Sequence, residues 1–194
     1  MATLRPFRQI HENDVINLFA FDYHTHGAAT RGAIVKLVNG YKHDDTLENL
    51  SINNSYPNTL SDRWGVKALV GLCGATDRPL GMLMYDVKEV DENGEKLVFH
   101  PRKADEMQVA MSGQAVPVLT RGLVMMNGVT HTTSVKPAAG GRAWTAANGA
   151  IGTSGVTDAH VIGIFLGPTG ENGDVLLKLN IEHSVDAGVV DTNP

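Results

Sequence analysis

The chain has 194 residues, 42% of them hydrophobic and 19% charged, which is enough apolar material for a core of ordinary domain size. Its formal charge of −5 and pI near 5.9 argue against a broad basic face that wraps nucleic acid, so no nucleic-acid partner is expected. A single cysteine, Cys73, excludes an internal disulfide and a cysteine-based zinc site.

Residues 1–14 carry Arg5, Phe7 and Arg8 without a periodic core pattern and are expected to form an N-terminal arm. The opening "MATLRPFRQIHEND" lacks the apolar centre of a secretory leader. No later run approaches the ~18 apolar residues that suggest a spanning helix, so no membrane partner is expected.

The apolar run "VINLFAF" ends at Asp22, and His24 and His26 follow in "FDYHTHG". On a strand, alternate residues share a face, so two neutral imidazoles would converge as metal ligands. The D-x-H-x-H pattern resembles the first metal strand of amidohydrolases and of polymerase-and-histidinol-phosphatase enzymes. Those families need further ligands from later strands. The other histidines, His11, His43, His100, His131, His160 and His183, form no second paired motif. The preferred reading is a turn joining "VINLFAF" to "GAIVKLV"; a metal-dependent hydrolase using Asp22, His24 and His26 stands as the alternative.

The stretch 39–64 is polar and reads as a long loop, with one helical turn conceivable over 44–52. It carries Tyr41, Tyr56 and Trp64, aromatics of the kind that anchor interfaces. Cys73 follows the apolar run "ALVGL" and is expected to be buried or to end a strand.

Asn-Gly recurs at 39–40, 93–94, 127–128, 148–149 and 172–173, and this dipeptide suits the hairpin turn whose central residues both need positive φ. Three of these turns separate strand-like runs: "GMLMYDVKEV" from "EKLVFH", "RAWTAA" from "AIGTSG", and "HVIGIFLGP" from "DVLLKLNIEH". Residues 66 to 183 therefore read as successive antiparallel strands, an all-β protein. "HPRKADEMQVAM" offers Pro101 as a first helical residue, or else a turn leading into the strand "EMQVAMS".

Two loops imitate ligand sites. "EVDENGEKLVFH" puts Gly94 at the glycine position of a calcium loop, but its twelfth residue is His100 rather than a bidentate Glu, so a hairpin is preferred. "GPTGENG" imitates a phosphate loop but leads into a strand rather than a helix. Neither Ser112, Ser134 nor Ser154 sits in a nucleophile elbow, and Trp64 and Trp144 are expected to pack under loops. No catalytic residue, cofactor or metal is assigned.

The run 141–181, "GRAWTAANGAIGTSG…HVIGIFLGPTGENGDVLLKLNI", resembles the closing hairpins of head-decoration and related virion structural proteins of tailed bacteriophages. Residues 77–124 and the opening "DVINLFAFD" are similar to marine phage structural proteins. The resemblance rests on strand order and glycine placement. It implies a small antiparallel β-barrel or β-tulip-like domain over 15–183, between the arm at 1–14 and a tail at 184–194. It also implies a non-enzymatic cement protein, a homotrimer that binds the major capsid protein and bridges subunits of the assembled head. The expected location is the outer surface of the virion, after synthesis in the host cytoplasm. Contacts with the capsid or within the trimer would fall to Arg5, Phe7, Arg8, Tyr41, Tyr56 and Trp64. A neck, tail or head-fibre component and a carbohydrate-binding β-sandwich are the other readings.

Overall fold

A computed structural model of the chain describes residues 3–6, 10–39, 68–129 and 135–181. The described residues are mostly β, with two short α-helices, in agreement with the all-β expectation. Five strands close into a barrel in the order β2 (Val15–Phe21), β4 (Leu69–Leu72), β3 (Ile34–Asn39), β5 (Gly81–Leu83) and β8 (Ala115–Leu119). Its pairs are antiparallel except β2 with β4, which run parallel, so the barrel is not purely the meander that the turn signals suggest.

Six further strands form an open sheet in the order β1 (Thr3–Pro6), β9 (Arg121–Asn127), β13 (Asp174–Asn180), β12 (Val161–Phe165), β10 (Arg142–Thr145) and β11 (Ile151–Gly152), every pair antiparallel. Two short strands, β6 (Asp86–Val87) and β7 (Val109–Ala110), pair in parallel beside the barrel.

Residues 1–14, expected as an arm, include β1, which hydrogen-bonds along β9 from Thr3 opposite Asn127 to Pro6 opposite Val124. Leu4 is buried in the core shared with the sheet. Thr3–Pro6 is thus an edge strand of the chain's own sheet.

The physical reason for two layers lies in the faces of the barrel strands. Val35, Leu83, Val116 and Val118 fill the barrel with Phe19, Phe21 and Val70. Their neighbours Ile34, Met82 and Leu119 point outward and are still fully buried, because the inner face of the sheet covers them with Val124, Met126, Phe165, Val175, Leu177 and Leu179. Strands buried on both faces read as unbroken apolar runs, and "GAIV" (32–35) and "GMLM" are such runs. Fully burying side chains of this kind stabilises by roughly 1.5–3 kcal/mol each.

Two of the expected Asn-Gly hairpins are present. β10 and β11 are joined through Asn148 and Gly149, both with positive φ (56° and 71°), and β12 and β13 through a loop closing at Gly173. A Cβ on Gly149 would lie 2.7 Å from the Ile34 carbonyl oxygen, so this turn seats directly on barrel strand β3. The hairpin at Asn93-Gly94 is wider at its turn and shorter in its strands than expected: the Asp91 N–H reaches the Glu95 carbonyl across three loop residues, Val90 bridges Lys96, and Leu97–Phe99 forms a 3-10 turn instead of a second strand. Helix α2 (Pro101–Glu106) then begins with Pro101, and β7 follows, so both readings of "HPRKADEMQVAM" hold in succession. Pro117 lies within β8, where the register with β2 shifts between Ile16 and Phe19, as a residue without an N–H requires.

Candidate functional site

The D-x-H-x-H stretch does turn the chain between β2 and β3, but not as an extended strand end. Helix α1 (Tyr23–His26) carries both histidines. The Asp22 carboxylate caps it, accepting from the Thr25 backbone N–H at 3.2 Å, and Gly27 closes it with a 2.8 Å bond from its N–H to the Tyr23 carbonyl. Residues two apart on a helix do not face each other, so the convergence expected of a strand is lost. His24 is exposed; the His26 ring packs beside Phe21, centroids 6.0 Å apart. Among the described residues no three His, Cys, Asp or Glu side chains are grouped as metal ligands would be.

The calcium-like loop is held by its own carboxylate. Asp91 Oδ1 accepts from the backbone N–H groups of Asn93 and Glu95, each at 2.8 Å, and Oδ2 takes a close hydrogen bond from Lys103 on α2. The Lys103 ammonium, with these backbone donors, holds the Asp91 carboxyl below the usual carboxylate range and outweighs desolvation. Asp91 in turn raises Lys103.

A second anchor of the same design sits at the loop after β4. Asp77 accepts from the Lys36 ammonium at 2.7 Å and from the Gly74 N–H at 2.7 Å, and these bonds lower its pKa. Cys73, as expected, ends a strand and is buried; its Sγ donates to the Asp77 carbonyl at 3.3 Å, and burial pushes the thiol up to about 12. Such a thiol is a packing group, not a nucleophile, at neutral pH. Thr145 donates to the Ala75 carbonyl at 2.6 Å and ties this loop to β10. Beside it lies a cavity of about 680 Å³ lined by Lys36, Leu37, Val38, Arg78, Pro79 and Leu80. Its Lys36 cation is already engaged by Asp77.

The residues expected to make contacts fare unevenly. Arg5 is placed on β1 opposite Met125. Phe7, Arg8, Tyr41, Tyr56 and Trp64, together with the loop 39–64 beyond Asn39 and the tail 184–194, lie outside the described residues. Trp144 is half-buried on β10 and covers Gly155, where a Cβ would meet its ring at 2.6 Å, so it packs on a loop as expected.

The outer face of the six-stranded sheet is a surface that no motif announced. Across it Arg142 on β10, Ile164 on β12, Lys178 on β13 and Leu123 on β9 stand in one register row. The next row holds Leu166, just past β12, with Leu176 and Met125. Ile164 and Leu166 are 37% and 41% exposed, and neither Arg142 nor Lys178 makes an ion pair among the described residues. An apolar patch flanked by cations is suited to contact with an acidic protein surface. The signal was available in "DVLLKLN", where the face opposite Val175, Leu177 and Leu179 carries Leu176 and Lys178 instead of uniformly polar residues.

The chain matches no protein-family model and no curated protein sequence.

Proposed function

We propose that this chain is a non-enzymatic decoration protein of a tailed-bacteriophage head, self-associating as a homotrimer and bound to the major capsid protein on the outside of the assembled shell. The observation that carries the reading is the character of its surface chemistry: the outer sheet face offers Ile164, Leu166, Arg142 and Lys178 for contact, whereas Asp22, Asp77 and Asp91 are engaged in holding turns. The strand order over β10 to β13, two hairpins each closed by Asn-Gly, supports the resemblance of residues 141–181 to the closing hairpins of that class.

A protein of this kind stabilises by mass action. It binds the assembled shell and not its separated subunits, so each occupied seam lowers the free energy of the assembled state. Several joined copies bind with avidity that one lacks. Arg5, Phe7, Arg8, Tyr41, Tyr56 and Trp64 are the proposed capsid or trimer contacts, consistent with strand augmentation at the edge strand β1 and with aromatic anchors.

Purified particles test the reading. The chain is expected at a fixed ratio to the major capsid protein by quantitative mass spectrometry, with matching density on the head in cryo-electron microscopy. Shells stripped of it should bind it back saturably and regain heat resistance. Its absence from particles, or a location confined to neck or tail, defeats the proposal.

A further inference from the structure

We infer that copies of this chain join head to tail, the Phe99 knob of one copy seating on the outer sheet face of the next. The inference rests on the self-associating part of the reading above and is independent of the capsid.

The knob is built to hold an aromatic ring out in solvent. Phe99 is 74% exposed, the most exposed of the large hydrophobic side chains described. It does not dangle. Leu97, two residues earlier in the same 3-10 turn, is fully buried in a small core of its own with Ala104, Val109 and Met111. The Asp91–Lys103 pair ties the preceding loop to α2, so the turn is gripped from both sides. The backbone that carries the ring is thereby fixed, so docking has little to order beyond the Phe99 side chain itself.

The charges around it are mostly acidic. Between residues 88 and 106 six carboxylates stand against four Lys and Arg side chains. Lys103 is engaged by Asp91 and Arg102 by Glu106, while Glu92, Glu95 and Asp105 remain on the exposed surface. The sheet face has the opposite composition: apolar Ile164 and Leu166, with Ile164 between Arg142 and Lys178, cations that make no ion pair among the described residues. One surface therefore presents an aromatic ring in an acidic setting, and the other an apolar floor between cations. Seating the ring buries apolar area on both partners, brings carboxylates to cations, and places the Phe99 face within reach of a guanidinium. Because the two surfaces are different patches, the contact is heterologous, and repetition of it closes a ring where the rotation allows.

The test uses two variants at exposed positions. Phe99→Asp removes the knob and Ile164→Asp spoils the face; neither side chain is in the core, so circular dichroism and Tm should match the parent chain. Light scattering coupled to size exclusion, over a concentration series, should show the parent as an oligomer that weakens in high salt. Each variant alone should dissociate, its constant raised about thirtyfold or more. Mixing the two variants is decisive. Phe99→Asp retains an intact face and Ile164→Asp an intact knob, so the mixture should form a one-to-one heterodimer that neither forms alone. A monomeric parent overturns both this inference and the self-associating part of the proposed function. An oligomer untouched by either variant, or a mixture that forms no heterodimer, overturns the inference alone and leaves capsid binding to be judged separately.

Discussion

The closed barrel and the open sheet solve the same problem in opposite ways. In the barrel every strand has a hydrogen-bonded neighbour on each side, and no edge is left to template a partner. The sheet keeps two edges, β1 and β11, and one face in solvent. In the barrel, Ile34 and Val35 of β3 and Gly81–Leu83 of β5 are buried on both faces, one inside the barrel and the other under the sheet. β13 is buried on one face only. The difference separates roles: closure supplies stability, and the open sheet supplies surface.

If that division holds, the inner face of the sheet still belongs to the stabilising core, because Ile34, Met82 and Leu119 share it with Leu177 and Phe165. The largest expected effects are therefore a matched pair. Phe21→Ala inside the barrel and Phe165→Ala on the sheet should each cost about 3–5 kcal/mol, read from urea midpoints. Both variants should unfold in one transition by circular dichroism and tryptophan fluorescence. A Phe165→Ala protein that melts in two steps would show that the sheet is a separate cooperative unit and break the comparison.

The seam between the two layers is where backbone geometry matters most. Gly149 has φ of 71° and leaves room for the Ile34 carbonyl, which a Cβ would crowd at 2.7 Å. Gly149→Ala should cost about 1–3 kcal/mol from the left-handed conformation alone, with further loss from the collision. Gly94→Ala is the control. Its φ is 81°, but nothing lies within 4 Å of the added carbon, so only the conformational cost should appear. Equal losses at both glycines would mean that the turn on β3 does not carry the seam.

The two layers were unequally legible in the sequence. The Asn-Gly turns with flanking alternation marked the hairpins at Gly149 and Gly173 because local sterics fix such turns with no help from the rest of the fold. The pattern "HPRKADE" likewise marked α2 through Pro101. By contrast, the parallel pairing of β2 with β4 is a long-range choice that no local signal encodes. The sheet membership of Thr3–Pro6 was hidden because a four-residue edge strand is too short to show a periodicity. The outer face was obscured for a related reason: its residues come from four strands and meet only through register. At His24 and His26 the sequence pattern was plain but its conformation was not, since one capping bond from Asp22 changes strand into helix.

Acid should distinguish anchored loops from the barrel beneath them. The folded-state pKa values of Asp77 and Asp91 are both lowered, Asp77 first through Lys36 and Asp91 first through Lys103. A depressed carboxylate contributes stability that is fully present above its unfolded value and lost as pH falls through the folded one. That loss should begin near pH 4, the ordinary value being 3.8, and continue below it. Asp91→Asn should be less stable than the parent at pH 7 and should show a shallower decline in urea midpoint between pH 4 and 2. An unchanged slope would mean that the Lys103 pair does not hold the loop. Alkali acts in the opposite sense through Cys73. Its folded pKa of about 12 lies above the ordinary 9.0, so its contribution is intact below pH 9 and is lost as pH rises toward 12.

The smallest expected effect concerns the motif that looks most like chemistry. His24 is exposed on α1, and the turn is held by the Asp22 cap and the Gly27 closure rather than by its ring. His24→Ala should therefore change stability by less than about 0.5 kcal/mol. His26→Ala should cost more, because that ring packs beside Phe21 and against Gly71, where a Cβ would meet it at 2.8 Å. The two variants separate a structural turn from a ligand pair. A structural turn gives unequal losses and no change in metal content; a ligand pair gives equal loss of bound zinc or manganese, measured by elemental analysis of the purified protein. Stoichiometric metal in the parent, removed by either variant alone, would restore the hydrolase reading and turn attention from the sheet face to the barrel end beside α1.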